Sequence, residues 1–211
     1  MKLLLQNFQT IILANGAFPQ HKIPLRYLKN ANRIICCDGS TQSLLDFGLE
    51  PDFIVGDLDS ISTELKNRFS DILRHNPDQE TNDLTKAVEF CIGNGWKEIT
   101  ILGATGKRED HTLGNLSLLT EYIEKADVQL LTDYGVFVPQ LETTAYESYP
   151  EQQVSIFSID TDTQFTTDNL LYPLSGRKLK SWWEGTLNEA TTESFTIKIA
   201  KGKVLIFREY E

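Results

Sequence analysis

Leu84-Thr85-Lys86-Ala87-Val88-Glu89-Phe90-Cys91-Ile92, followed beyond Gly93-Asn94-Gly95 by Ile99-Thr100-Ile101-Leu102, decides how this chain folds. Leu84, Ala87, Val88, Cys91 and Ile92 recur at spacings of three, one, three and one, the apolar face of a helix with 3.6 residues per turn. Gly93 and Gly95 stop that helix. The short apolar run 99–102 reads as a buried strand. Working outward, further runs of the same kind are Ile11-Ile12-Leu13, Ile34-Ile35-Cys36-Cys37, Phe53-Ile54-Val55, Ile72-Leu73 and Val128-Gln129-Leu130-Leu131. A second helical pattern, after Asp110, carries Leu113, Leu116, Leu119 and Ile123. Strands alternating with helices imply crossover units and a mainly parallel sheet.

Past about residue 135 the pattern changes. Val136-Phe137-Val138, Val154-Ser155-Ile156-Phe157, Phe195-Thr196-Ile197-Lys198-Ile199 and Val204-Leu205-Ile206-Phe207 are short strands without an amphipathic helix between them. Gly202 predicts a hairpin joining the last two. A smaller β domain, packed as a sandwich or barrel, is expected from roughly residue 140 onward.

Composition bounds the function. The 211 residues hold 20 basic and 30 acidic side chains, a formal charge of -10. Affinity for a polyphosphate backbone comes mainly from lysine and arginine, so no nucleic-acid partner is expected. Forty percent hydrophobic residues with 24% charged residues excludes disorder. Cys36, Cys37 and Cys91 make an odd set with two adjacent members, neither a disulfide framework nor zinc-ligand spacing. They read as small core residues in a reducing compartment. Met1-Lys2-Leu3-Leu4-Leu5 opens like a secretory leader, but Gln6-Asn7 cuts its apolar run short. No run approaches the roughly 18 apolar residues of a membrane helix. A soluble, cytoplasmic protein with no membrane partner is expected.

Ligands of open α/β sheets bind beyond the carboxyl ends of the strands, and here apolar runs deliver acids to that edge. Asp38 follows Ile34–Cys37, with Gly39 beside it to let backbone approach a ligand. Asp57 and Asp59 follow Phe53–Gly56, Asp83 opens the Leu84 helix, and Asp110 ends the loop Gly103-Ala104-Thr105-Gly106-Lys107-Arg108-Glu109. Any one of these acids alone reads as a helix cap or a turn. Asp57-Leu58-Asp59 is different: on extended backbone, residues two apart point the same way. Two carboxylates about 4 Å apart repel by about 1 kcal/mol in water and about 4 at an effective dielectric of 20. A cation between them is expected, and magnesium suits one or two carboxylates plus substrate phosphates. Lys107 and Arg108 could neutralise phosphates together with loop amides and a helix dipole. The loop is no Walker A motif, because only two residues separate its glycines and Arg108 follows the lysine.

Four segments in register resemble the thiamine pyrophosphokinases. They are Cys37-Asp38-Gly39-Ser40, Pro51–Ile61 around Gly56-Asp57-Leu58-Asp59-Ser60, Pro77–Ala87 around Gln79-Glu80-Thr81-Asn82-Asp83, and Gly103–Leu116 around Arg108-Glu109-Asp110-His111. A β-rich tail with Tyr172-Pro173-Leu174 and Gly185-Thr186-Leu187-Asn188-Glu189 follows. The resemblance implies transfer of pyrophosphate from ATP to the hydroxyl of thiamine, giving thiamine diphosphate and AMP. It implies an N-terminal Rossmann-like α/β domain with a mainly parallel sheet, residues 1–139, that binds nucleotide and metal and carries catalysis. A C-terminal all-β sandwich domain, residues 140–211, would bind thiamine and dimerise. The family is homodimeric, with active sites at the subunit interface.

Carried over by position, Asp57, Asp59 and Asp83 hold Mg2+, and Asp110 and Arg108 complete the catalytic rim. Gln79 and Asn82 lie along the nucleotide, Asp38 supports it, and Thr186 and Asn188 meet thiamine; Gly39 and Lys107 rest on the reading of the residues themselves, as room for the ligand and as positive charge beside Arg108. Asp83 and Asp110 are both candidate bases for the hydroxyl proton. Asn82 stands where Thr is usual, Lys107 where glycine is frequent, and Thr186 where Ser is usual. Ala190-Thr191 follow Asn188 where some relatives carry an aromatic residue. Trp182-Trp183, read as strand neighbours, would point to opposite sides, one of them toward core or dimer packing. Two alternative readings stand beside the resemblance: a haloacid-dehalogenase-type phosphatase, whose Asp-x-Asp follows the first strand rather than the third, and a non-catalytic nucleotide sensor.

Overall fold

The computed structural model describes residues 10–211, so the reading of Met1–Leu5 lies outside the described residues. The chain divides into two compact units. One runs up to Leu118 and takes in Lys125–Asp133; the other comprises Leu119–Glu124 and Tyr134–Glu211.

Up to Leu131 the elements are β1 (Thr10–Leu13), α1 (Lys22–Lys29), β2 (Arg33–Cys37), α2 (Thr41–Asp46), β3 (Phe53–Gly56), α3 (Thr63–Arg68), β4 (Leu73–His75), α4 (Asp83–Gly93), β5 (Glu98–Leu102), α5 (Glu109–Tyr122, its last four residues counted in the second unit) and β6 (Asp127–Leu131). Their strands pair in the order β6-β5-β1-β2-β3-β4. Every pairing among these six is parallel, with Ile12 opposite both Ile35 and Ile101. A parallel sheet covered on both faces needs strands that are apolar throughout. β1 meets that demand, since all four of its residues are buried. The chain leaves β1 toward β2 on one side and β5 lies on the other, so the strand order reverses at β1. A crevice opens at such a switch point.

α4 forms where its apolar period predicts. Asn82 caps it, accepting from the Thr85 N–H at 2.9 Å, and Leu84, Ala87, Val88 and Cys91 are buried. It closes on Asn94 with Gly95 at φ +78°, the left-handed geometry that glycine adopts without strain. The three cysteines are buried and free. Among the described residues no helix is long and apolar enough to cross a membrane.

The second unit contains β7 (Gly135–Gln140), β8 (Thr144–Glu147), β9 (Gln153–Ser158), β10 (Gln164–Asp168), β11 (Arg177–Lys178), β12 (Asn188–Glu189), β13 (Ser194–Lys198) and β14 (Val204–Glu209). Here the strands run antiparallel in two sets, β12-β9-β14-β7 and β11-β10-β13-β8. β9 shows the period-two burial that this demands, with Val154, Ile156 and Ser158 inward. Val154, Ile156, Val204 and Ile206 from one set share a core with Tyr146, Phe165, Phe195 and Ile197 from the other. Full burial of each such side chain contributes about 1.5–3 kcal/mol.

Two expectations fail here. The hairpin at Gly202 does not form: β13 is already flanked by β8 and β10, and β14 by β7 and β9, so the link crosses from one sheet to the other. Gly202 serves close approach instead, since a Cβ there would lie 1.9 Å from Thr163 Oγ1. Trp182 and Trp183 are not in a strand. They open a 3₁₀ turn, Trp182–Gly185, and are 42% and 74% exposed. Trp182 packs edge-on to Phe157 at 6.0 Å.

Candidate active site

Loops at the carboxyl ends of β1, β2, β3 and β5, with the start of α4 and the first turn of α5, enclose a cavity of about 440 Å³. Its floor is acidic. Ligand atoms of Asp38, Asp57 and Asp83 all lie within 4.8 Å of one another. Asp38 is buried beyond β2; it accepts from the Gly39 N–H at 2.6 Å and the Ser60 N–H at 3.4 Å. Burial, and then the charge of Asp83, push its carboxyl above the usual range. Asp57 follows β3 and accepts from the Asp59 N–H at 3.1 Å.

That last bond reflects a turn. Leu58 has φ +66°, so the backbone between Asp57 and Asp59 is not extended and the two-residue alternation does not apply. Asp59 is exposed and stands outside the tight cluster; Asp38 holds the third position. Asp83, the first residue of α4, pairs at 3.2 Å with Lys86 Nζ, whose side chain is 2% exposed. Three carboxylates at this separation repel pairwise by about 3–4 kcal/mol at an effective dielectric near 20, and one ammonium offsets only part of that. Three oxygen donors with surplus negative charge fit a hard divalent cation. Cys37 lies beside them, but burial and then the charge of Asp83 raise its thiol pKa and keep it neutral.

The opposite wall is basic. α5 begins at Glu109, so Asp110 sits in its first turn rather than ending the loop. Arg108 binds Asp110 through two hydrogen bonds from Nε and a terminal nitrogen, and the pair is exposed. Arg108 thereby holds the Asp110 carboxyl down at about 2. Lys107 Nζ donates to the Asn15 carbonyl at 3.0 Å and to Asn15 Oδ1 at 3.2 Å. Asp78 organises the loop before α4, accepting from the Glu80 and Thr81 N–H groups at 3.0 and 3.1 Å. Gln79 and Asn82 both line the cavity. Asn82 also donates to Asn115 Oδ1 at 3.3 Å, and Asn115 in turn donates to the Ala104 carbonyl at 2.9 Å.

Asn15, Gly16, Lys86 and Asn115 line this cavity without having been singled out from the sequence. Asn15-Gly16 follows the run Ile11–Leu13 after a single residue, Ala14, so the rule that found Asp38 and Asp57 reaches it. A search confined to acids passes it over.

Thr186 and Asn188 lie in the β-rich unit on one segment. Thr186 Oγ1 donates to the Trp183 carbonyl at 2.8 Å. Asn188 is buried; its amide donates to the Tyr172 carbonyl at 2.8 Å and accepts from the Tyr172 and Glu189 N–H groups. Leu187 between them has φ +57° and is 79% exposed, a strained conformation for a branched residue.

Two family models match the chain: the catalytic domain of thiamin pyrophosphokinase over residues 25–131, and the thiamin pyrophosphokinase substrate-binding domain over residues 135–207. Thiamine pyrophosphokinase 1 of Oryza sativa subsp. japonica is 31% identical over 169 residues, covering 68% of this chain and 63% of that protein. The chain thus spans less than two thirds of that relative's length. Thiamine pyrophosphokinase of Bacillus subtilis (strain 168) is 26% identical over 211 residues, covering 93% of this chain and 96% of its own. A crystal structure of thiamine pyrophosphokinase from Bacillus subtilis superposes with a TM-score of 0.78 at 24% identity, over 96% of this chain and 99% of that one. That likeness carries the fold: a mainly parallel α/β sheet and a separate β-rich C-terminal domain.

Proposed function

This chain belongs to the thiamin pyrophosphokinase family, and from that premise we propose that it transfers the pyrophosphoryl group of ATP to the hydroxyl of thiamine, releasing AMP and thiamine diphosphate. The observation that supports this most is the cluster of Asp38, Asp57 and Asp83 within 4.8 Å, two of which, Asp57 and Asp83, line a cavity together with Lys107 and Arg108. A triphosphate needs both a cation platform and direct positive charge. The phosphatase and sensor readings gain nothing from the family match.

In this reading Asp57 and Asp83 hold magnesium with Asp38 as their buried companion, and Asp59 adds negative charge from the rim. Bound magnesium would neutralise charge on the phosphate oxygens during transfer. Arg108 and Lys107 bind those oxygens directly, which favours the more highly charged transition state. Gln79 and Asn82 lie along the nucleotide, with Gly39 leaving room for it. Thr186 and Asn188 orient thiamine so that its hydroxyl can approach in line. The hydroxyl proton passes to Asp83 or Asp110. Asp110 is the weaker acceptor while Arg108 is paired with it.

The α/β part, residues 1–139, is taken as a Rossmann-like catalytic domain and residues 140–211 as a thiamine-binding and dimerisation sandwich. We place the protein in the cytoplasm as a homodimer whose active sites sit at the subunit interface. Incubation with ATP, magnesium and thiamine tests the activity. AMP and thiamine diphosphate in equal amounts are expected, whereas phosphate release independent of thiamine would contradict it.

A further inference from the structure

We infer that Asn15 is a positioning residue that fixes Lys107 for the phosphates of the nucleotide, an inference that rests on the nucleotide site proposed above. The loops after β1 and β5 are zipped together past the ends of their strands. Ala14 N–H donates to the Leu102 carbonyl at 2.8 Å, Gly16 N–H to the Gly103 carbonyl at 2.5 Å and Ala17 N–H to the Thr105 carbonyl at 2.7 Å. Gly16 permits this closeness, since a Cβ there would lie 2.3 Å from the Gly103 oxygen. Asn15 therefore stands on a braced platform at the strand-order reversal.

Its amide is held from two sides. Across one face lies Gly39, where a Cβ would come within 2.1 Å of Asn15 Nδ2. On the other, Lys107 Nζ donates to both the carbonyl and the side-chain oxygen of Asn15. An ammonium has three donors, so two bonds to Asn15 leave a third for a phosphate oxygen. Holding a long, rotamer-rich side chain in place beforehand lowers what binding must spend on ordering it. Gly39 has a matching role: lacking a side chain, it leaves the amide where Lys107 can reach it.

The test is a mutant cycle read by titration with a non-hydrolysable ATP analogue and magnesium. Asn15→Ala removes the 3.2 Å side-chain bond but keeps the 3.0 Å bond to the backbone carbonyl, so it weakens binding about 2- to 4-fold, the lower part of the gain from ordering one such side chain. In the Lys107→Met background the same change adds nothing. Gly39→Ala, whose Cβ would meet the Asn15 amide at 2.1 Å and Ser60 Cβ at 3.1 Å, also weakens binding, and costs markedly less once residue 15 is alanine. In turnover, Asn15→Ala raises KM for ATP and leaves KM for thiamine unchanged. Equal losses from Asn15→Ala with and without Lys107 would overturn the inference, as would native binding by Gly39→Ala. Native binding by Lys107→Met would overturn both this inference and the placement of phosphates at Lys107. Failure of the unaltered protein to bind the analogue would strike the nucleotide site itself.

Discussion

Lys86 Nζ lies 3.2 Å from Asp83 Oδ1 and is buried beneath the acidic cluster that Asp83 shares with Asp38 and Asp57. A lysine on the inward face of a helix is costly unless it is paired. Its pairing here offsets part of the repulsion among three carboxylates. Lys86→Met should therefore destabilise the metal-free protein by about 1–3 kcal/mol, below the usual loss for a fully buried pair because Asp83 is one-third exposed. Thermal melting with and without magnesium checks this. The variant should melt several degrees lower without the ion and gain more from its addition than the unaltered protein does.

Asp38 carries the opposite signature. Its folded pKa is raised, by burial first and by Asp83 next, so its ionisation costs stability above the unfolded value near 3.8. Asp38→Asn should raise the melting temperature without magnesium at neutral pH. The advantage should shrink as pH falls through the raised folded value toward 4, where the native carboxyl also becomes neutral. A difference that stays constant with pH would show that charge is not its cause.

Asp57 and Asp59 separate by geometry. Asp57→Asn removes a member of the cluster and should lower turnover by about 100-fold or more, as loss of a transition-state charge contact does. Asp59→Asn should cost markedly less, because Leu58 turns the backbone and leaves Asp59 outside. Activity across a magnesium titration compares the two, and equal losses would restore Asp59 to the inner set.

Thr186 and Asn188 should part in the same way. Thr186→Ala removes a hydroxyl whose bond to the Trp183 carbonyl is solvent-exposed, and is expected to raise KM for thiamine while lowering the melting temperature only slightly. Asn188→Ala strips a buried amide from Tyr172 and should also destabilise by about 1–3 kcal/mol. Paired melting and kinetic measurements distinguish them.

Much of this was legible in the sequence because local signals agreed with the final structure. The Leu84–Ile92 period, its glycine stop and the apolar runs of the parallel sheet correspond to α4 and to β1–β6. Asp38 and Asp57 were found because they stand at the ends of such runs, Asp83 because it opens the α4 period. The left-handed turn at Leu58 was hidden, since leucine is not a residue that announces positive φ. Lys86 was hidden because, although Asp83 is only one helical turn away, the pairing gains its worth from Asp38 and Asp57, which folding brings beside Asp83. The exchange of sheets at Gly202 depends on which strands are already paired, a non-local fact that no dipeptide carries.

The most direct test follows phosphorus. ATP labelled at the β-phosphorus, incubated with the protein, magnesium and thiamine, should deliver its label to thiamine diphosphate and leave unlabelled AMP. Recovery of that label in ADP, with only the terminal phosphorus transferred, would contradict the account.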